Sequence, residues 1–580
     1  MNSLVVALLC FVGYIVAYRT YGRFLSKKIF QIDETLACPS SSLRDDKDYV
    51  PTKKEVLFGH HFTSIAGLGP IVGPAIAIIW GWVPAVLWVF LGSVFMGAVH
   101  DFGSLMVSLR NRGRSVGDVA ASLINPRVRT LFLLIIFFEL LIIIAVFALI
   151  IGILFNMYPA SVLPVWAEAP IAVYLGHVIY KRGGNVTAWG VAAVAVMYAT
   201  VVLGAYLPFA MPEFLGLNPV VLWVLIMLAY SYVASTLPVT TLLQPRDYIN
   251  GHQLLVALAL LFTGALVAHP VFVAPALNLS PEGAPPILPF LFVVIACGAI
   301  SGFHSLVSSG TSAKQCESER DCQFIGYGSM LTEAALSTLV IVAVGAGIGM
   351  GLSTPDGGML AGPEAFTTHY ASWATANGLG AKLKAFVEGS ANLMGSFGIP
   401  AEIALTIMGV FLVSFAATTM DSATRIQRYV VAELAQAYNV KSLSTKHGAT
   451  LVAVGSAAVV CFNAGFGIDA VKKAALTLWP LFGTVNQLMA GMALLVITVY
   501  LARKKAPTVF TMLPMVFMIA MTGWAMGVNL TAFAAKQNWL LFVIGLAVIL
   551  LEIWMIIESV IVLKEIYVNN RHAPDATPAH

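Results

Sequence analysis

Charge is what this sequence has least of. Only 10% of its 580 residues are Asp, Glu, Lys or Arg, against about 25% in ordinary soluble domains. That deficit excludes a soluble globular chain. A formal net charge of +4 gives no support to a nucleic-acid partner. Cysteine is scarce too: Cys10, Cys38, Cys297, Cys316, Cys322 and Cys461 form no metal-like cluster. Cys316 and Cys322 share a loop read as cytoplasmic, so no disulfide is expected there. His60 and His61 are adjacent, a poor arrangement for sharing a metal within one helix, and no H-x-x-x-H pattern supports them. There is no Walker motif. Gly345, Gly347, Gly349 and Gly351 make a glycine-rich pattern, but inside an apolar run rather than after a strand, so it implies helix packing and no dinucleotide site. No nucleophile and base share an identifiable element. Neither an enzyme nor an ATPase is expected, and no cofactor, with a bound sodium ion left open.

What the chain has in abundance is long apolar runs. With 59% hydrophobic residues, it reads as an all-α polytopic membrane protein of about fifteen spans. They fall near 3–22, 60–79, 83–109, 130–154, 163–180, 188–209, 217–240, 253–275, 286–311, 325–350, 400–422, 448–467, 473–500, 508–530 and 538–562. Alternating these spans from an outside N-terminus puts every basic residue in the cytoplasm except Lys382, Lys384, Lys472, Lys473 and Lys536. Such a bias is the positive-inside signal, and it leaves the C-terminus cytoplasmic. The chain divides into a first helix and charged cytoplasmic loop (1–55), helices two to seven (56–240), and helices eight to eleven (241–425) with one long outer loop (352–399). A four-helix extension (426–565) and a tail read as disordered (566–580) follow. Within the outer loop, 382–397 reads as a short amphipathic or re-entrant helix, with Glu388 and Asn392 one turn apart.

The second span organises the rest. Gly69-Pro70 and Gly73-Pro74 lie in its middle, where each proline removes a donor and restricts the glycine before it. Irregular backbone survives at that depth only in a protein-lined or wet cavity, which is where secondary transporters bind solutes. A simple proline-kinked helix is the plainer reading. Five spans later the seventh, SYVASTLPVTTLLQP, reads as broken near Pro238. Spans 2–6 and 7–11 then pair as an inverted five-plus-five repeat, the arrangement of the amino acid, polyamine and organocation superfamily. Half-helix N-termini suit a carboxylate, so His61, Ser64, Gly69, Pro70, Gly73, Ser235 and Thr236 are the expected substrate-binding residues.

Ionisable side chains inside spans suggest function by default. Asp101, Glu139, Glu333, His304 and Asp421 are candidates for proton coupling, while Asp421 and Arg425 also stand four apart and fit a local salt bridge. Ser308, Ser309 and Thr311 crowd the end of the ninth span as neutral oxygen ligands or as packing residues. The sodium-coupled members of that superfamily place one ion between core helices one and eight, and the resemblance would put it here, between the Gly69 break and this cluster. Asn486 reads equally as a helix contact or a cavity residue. The segment DDKDYVPTKKE, Asp45 to Glu55, reads as an inner gate or as a solvated loop.

Several long blocks in fixed order carry a family resemblance: DDKDYVPTKKEVLFGHHFTSIAGLGPIVGPAIA, QPRDYIN, SGFHSLVSSGTSAKQ, TTMDSATRIQRYV and LWPLFGTVNQLMA. From about residue 1 to 565 the chain resembles the carbon starvation protein A family of bacterial inner-membrane transporters. The resemblance implies uptake of pyruvate or short peptides coupled to protons, with sodium as the other ion to test. A passive facilitator and a membrane solute sensor are the competing readings, and oligomeric state is not legible. The enterobacterial members are longer, approaching seven hundred residues, and the resemblance supplies no role for any single residue.

Overall fold

The computed structural model describes residues 1–354, 356–463 and 465–568. Among them, twelve helices are long and apolar enough to cross a bilayer. A thirteenth crossing is the bent pair Lys54–Ile65 and Gly69–Trp80, angled by 45°. The remaining two apolar runs behave differently. The run at 286–311 is interrupted, and the run at 448–467 is a 17-residue helix, Lys446–Phe462. The chain is thus an all-α polytopic membrane protein with twelve to thirteen full crossings. Its last helix continues to Val568; the rest of the expected tail, 569–580, lies outside the described residues.

In chain order the helices that build the site are α1 (Lys54–Ile65), α2 (Gly69–Ala77), α3 (Ala98–Leu109), α4 (Pro126–Met157), α5 (Val162–Gly176), α6 (Pro219–Thr236), α7 (Leu243–Ala268), α8 (Ile287–Val294), α9 (Gly302–Gly310), α10 (Ser329–Gly345), α11 (Leu379–Gly395), α12 (Ala401–Ala437), α13 (Ile468–Arg503) and α14 (Val509–Ala535). The two long helices α4 and α12 pack along each other at the centre. Helices α1 and α7 cross at Gly59 and Gly251, where a Cβ added to Gly251 would stand 3.1 Å from the Gly59 Cα. Small residues set such close crossings in membranes, where no hydrophobic force distinguishes helix from lipid.

The break after α1 falls at Ala66–Leu68, upstream of both prolines. Pro70 occupies the first turn of α2, where a missing N–H costs nothing and the fixed φ favours helix. Pro74 sits inside α2. Proline here starts the second half-helix and does not itself make the gap.

The second break is not where the prolines suggest. Pro238 lies in the connection between two separate helices, α6 and α7. Leu237 before it is extended at φ −77°, ψ 154°, as a pre-proline residue prefers, so α6 simply ends. The span that is interrupted is the ninth, with α8 and α9 separated by residues 295–301. That gap contains no proline and reads as continuous apolar sequence. The outer loop holds a short antiparallel hairpin, Leu352↔Leu360 and Ser353↔Met359, then α11. Asn392 on α11 donates to the carbonyls of Gly347 (3.0 Å) and Gly351 (2.6 Å), and Glu388 accepts from the Ser353 amide at 2.8 Å. The pair one turn apart thus pins α11 to the end of the span before it.

Candidate functional site

The two interrupted spans cross at their breaks. A Cβ added to Gly73 would stand 2.5 Å from the Val294 carbonyl oxygen, and one added to Gly69 would collide with the Cys297 sulfur. Glycine is required because the two spans leave no room for a side chain there. Helix α2 begins at Gly69 without a side-chain cap, and the Pro70 carbonyl accepts from the Ser337 hydroxyl at 3.0 Å. Helix α9 begins at Gly302, and its N-terminus is filled from outside. Asn486 Oδ1, on α13, accepts from the Phe303 amide at 2.9 Å and the Ser301 hydroxyl at 3.0 Å. Asn486 therefore caps a half-helix across a helix interface.

A cavity of about 620 Å³ reaches this crossing. Gly69 and Cys297 line its inner part; Val146 and Ile150 of α4, and Thr484 and Asn529, line its walls. Trp373, Asn377, Lys382 and Lys536 lie toward its mouth, at the end holding the 352–399 loop.

Behind the break runs a line of fully buried titratable groups. His100 Nδ1 lies 2.7 Å from Asp101 Oδ1, and His304 Nδ1 lies 2.9 Å from Asp101 Oδ2. His304 Nε2 lies 3.5 Å from Glu333 Oε2. The line therefore joins α3, α9 and α10. Ser308 adds a hydroxyl that donates to the Asp101 carbonyl at 3.4 Å. Glu139 is also buried, within electrostatic reach of Cys297, and neither of its carboxylate oxygens has a hydrogen-bond partner among the described residues. Ionisable groups in a membrane interior are functional candidates by default.

Asp421 belongs to a second network. Its Oδ2 accepts from Arg246 at 2.5 Å and from the Tyr230 hydroxyl at 3.0 Å. Arg246 Nε also lies 3.5 Å from Glu168, whose other oxygen accepts from Ser414 at 3.0 Å. The i, i+4 pairing with Arg425 is not made; Asp421 turns to α7 and Arg425 turns to Asp48. Next to Arg246 in sequence, Asp247 hydrogen-bonds His60.

The remaining candidates divide. His61 bonds the Ser312 hydroxyl at 2.8 Å, and Ser64 bonds the Ser422 hydroxyl at 2.8 Å while its carbonyl accepts from Thr419 at 3.2 Å. The α12 hydroxyls of Thr419 and Ser422 thus face the first break. Those of Ser309 and Thr311 donate to carbonyls of α9 itself, Ser305 at 2.8 Å and Val307 at 3.1 Å. Ser235 and Thr236 end α6 far along toward the basic loops, where Lys446 donates to the Thr236 carbonyl at 3.1 Å. The structure does not bring them to Gly69. Arg246, Glu168 and Asn486 carry the ionic and capping contacts, and their partners lie too distant in sequence for spacing to reveal.

At the basic end the charged segment is tied shut. Asp48 Oδ1 accepts from Arg425 at 2.9 Å, Arg428 at 3.5 Å and the Tyr429 hydroxyl at 2.6 Å. Arg425 also donates to the Ala234 carbonyl at 3.2 Å and to that of Leu237. Lys314 stands 3.9 Å over the Tyr429 ring, a cation–π contact. Burial raises the Asp48 carboxyl, but Arg425 and Arg428 outweigh it and hold it below its ordinary value. A depressed carboxylate contributes its stabilisation above its unfolded pKa and loses it as pH falls through the folded one, so this closure is fully formed at neutral pH. Asp48→Asn should loosen it. In a Ser235→Cys background, labelling by an impermeant thiol reagent from the basic side should then speed up about tenfold. Equal labelling rates with and without that substitution would show that the contact does not hold this end closed.

Comparison with known proteins places these features. The family model described as carbon starvation protein CstA matches residues 2–525. The peptide transporter CstA of Campylobacter jejuni is 32% identical over 568 residues, covering 90% of this chain and 79% of that one. The pyruvate/proton symporter BtsT of Escherichia coli is 31% identical over 576 residues, covering 89% and 80%. Among solved structures, the Eremococcus coleocola manganese transporter aligns over 90% of this chain and 99% of its own at 13% identity with a TM-score of 0.45. MhsT bound to L-phenylalanine aligns over 82% and 97% at 13% identity with a TM-score of 0.44. Likeness at that level carries no functional weight.

Proposed function

The chain belongs to the carbon starvation protein CstA family, and from that premise we propose that it is a secondary active transporter in a bacterial inner membrane. It imports a small carboxylate-bearing solute, pyruvate or a short peptide, together with protons. The observation that carries this reading is the pair of broken spans crossing at the floor of a cavity that is open at one end and tied shut at the other. The positive-inside bias makes the shut, basic end cytoplasmic, so the cavity opens to the periplasm and import begins there. Solute enters toward Gly69, Pro70 and Cys297, with His61 and Ser64 behind the first break. Asp101, His304 and Glu333 hold and pass the proton, Glu139 being a second carboxylate within reach. Asp48 releases Arg425 when the inner end opens.

The packing supports an inverted five-plus-five core with a revised pairing. The first broken span, Trp82–Leu109, α4, α6 and α7 answer to the second broken span, Glu319–Met350, α12, Lys446–Phe462 and α13. Helix α1 packs on α7 as α8 packs on α13, and α2 packs on α10 as α9 packs on α3. A short helix precedes each central one, Val116–Leu123 before α4 and α11 before α12. Pro159–Lys181 and Val186–Tyr206 then form an inserted hairpin. Counting the interrupted run and Lys446–Phe462 as crossings gives about fifteen in all.

The test is uptake by purified protein in proteoliposomes, with labelled pyruvate and a labelled dipeptide under separately imposed proton and sodium gradients. Proton-driven accumulation supports the reading. Accumulation driven by sodium alone moves the coupling site to Ser64, Thr419 and Ser422. Equilibration without accumulation makes the chain a facilitator. Gly69→Leu should insert normally yet transport at less than about a tenth of the normal rate, since its side chain would stand against the Cys297 sulfur. Full uptake by that variant would remove the crossing from the solute path.

A further inference from the structure

Deep in the cavity wall one acceptor is left unused. Asn529 on α14 lines the cavity and is 9% exposed. Its Nδ2 donates to the Thr484 hydroxyl on α13 at 2.9 Å, and no described group donates to its Oδ1. The other polar side chains of the lining leave that task to it. Trp373, Lys382 and Lys536 offer donors only. Asn538 already accepts from the Leu541 amide at 3.4 Å, and Asn377 stands at the mouth. No carboxylate is among the described lining residues.

The pair of Asn529 and Thr484 stands level with the crossing of the two breaks. Thr484 is two residues from Asn486 on α13, about 3 Å along the helix axis, and the Asn486 amide reaches the Cys297 sulfur at 3.9 Å. Cys297 in turn bears on Gly69, where α2 begins without a side-chain cap. A helix N-terminus of that kind suits a carboxylate. The inner end of the cavity thus favours a carboxylate at Gly69 and presents an acceptor on the wall beside it.

We propose that Asn529 Oδ1 accepts a hydrogen bond from the peptide N–H of a short peptide, and that this bond selects peptides over pyruvate. This names the solute class at the site proposed above and rests on that reading. The C-terminal residue of a peptide carries an N–H on the carbon next to its carboxylate. Pyruvate has an oxygen and a methyl group there, and neither donates. With pyruvate bound, Oδ1 loses water and gains no partner, and a site built to bond an N–H rejects a solute that lacks it. An ammonium is not the group read, since two lysines line the same cavity and no described carboxylate does. At about 620 Å³ the cavity is also in the range that holds drug-sized molecules, room that a dipeptide uses and a three-carbon acid leaves empty.

The experiment is initial uptake by the full chain in proteoliposomes under an imposed proton gradient, with labelled dialanine and labelled pyruvate. The unlabelled competitor is alanyl-lactate, the ester analogue of dialanine in which an oxygen replaces the peptide N–H. For the wild type, the inhibition constant of the ester and the KM for pyruvate should each be at least tenfold above the KM for dialanine, the worth of one hydrogen bond to a buried acceptor. Asn529→Leu should raise the dialanine KM about tenfold and leave the ester and pyruvate values within about twofold, so that amide and ester become equal. A merely structural role for Asn529 would weaken all three together. Asn529→Asp keeps an acceptor at the same place and should keep the preference for amide over ester, which tests the position even where the leucine variant fails to assemble. Wild-type protein that binds ester and amide equally, or accumulates pyruvate and not dialanine, overturns the proposal and leaves the transporter reading intact. An Asn529→Leu variant that still prefers the amide overturns the role of Asn529. Wild-type protein that accumulates neither solute overturns both readings.

Discussion

Replacing Arg246 with methionine should cost the protein about 3–5 kcal/mol, the usual result of stranding a buried charge. Arg246 sits between Asp421 at 2.5 Å and Glu168 at 3.5 Å, both carboxylates being almost wholly buried. Its guanidinium also lies 5.6 Å over the Tyr230 ring. Without it two acids face each other in a membrane interior, and α5, α7 and α12 lose their common tie. The measurement is thermal stability of the purified variant by fluorescence-detected gel filtration. The triple variant Arg246→Met, Asp421→Asn, Glu168→Gln should recover most of the loss, because no charge is then stranded. If the single variant melts with the wild type, the network does not hold these helices together. If the triple variant is stable but inactive, the charges serve transport and not assembly.

Asp101→Asn should abolish accumulation while sparing exchange. The amide is isosteric and keeps a hydrogen bond to each imidazole once the ring facing its NH2 presents an unprotonated Nδ1, so the contacts at 2.7 and 2.9 Å survive. What disappears is a group that can be charged in one half of the cycle and neutral in the other. With one proton per solute, an outer pH one unit more acid than the inner drives about tenfold accumulation. The variant should fall to a ratio near one, with counterflow exchange within about twofold of normal. Normal accumulation would eliminate Asp101 as the coupling group and leave Glu139 and Glu333 to be tested in the same way.

How much of this is legible in the sequence follows from what spacing can and cannot encode. The membrane class and most crossings are legible because a bilayer demands long apolar runs, and the chain supplies them. The first break is legible because Gly69-Pro70 and Gly73-Pro74 mark it, although the gap itself lies at Ala66–Leu68. The second break is hidden: IACGAIS, residues 295–301, is apolar and free of proline. Pro238 misleads because two apolar helices joined by a short connection look like one interrupted span. Asp421 and Arg425 mislead in the same way. Four residues apart on α12, they face different neighbours, Arg246 and Asp48 respectively. Position 486 offers no local cue that its amide would close the start of a helix at 302. Contacts of that kind belong to the fold and exist only after packing.

The crossing of the two breaks has a mechanical consequence. Side chains between helices act as cushions, since a change of rotamer lets one surface slide against another. At Gly73 there is no cushion: its backbone lies directly against the Val294 carbonyl and the Ile295 backbone. At Gly69 the only cushion is the short, buried side chain of Cys297, against whose sulfur the glycine bears. Any tilt given to α2 on the cavity side is thus handed on to the second broken span without slack. The joint behaves as a weld, and the parts on either side of it swing as one lever. Closing the mouth on a solute and prising Asp48 from Arg425 then become two ends of a single stroke.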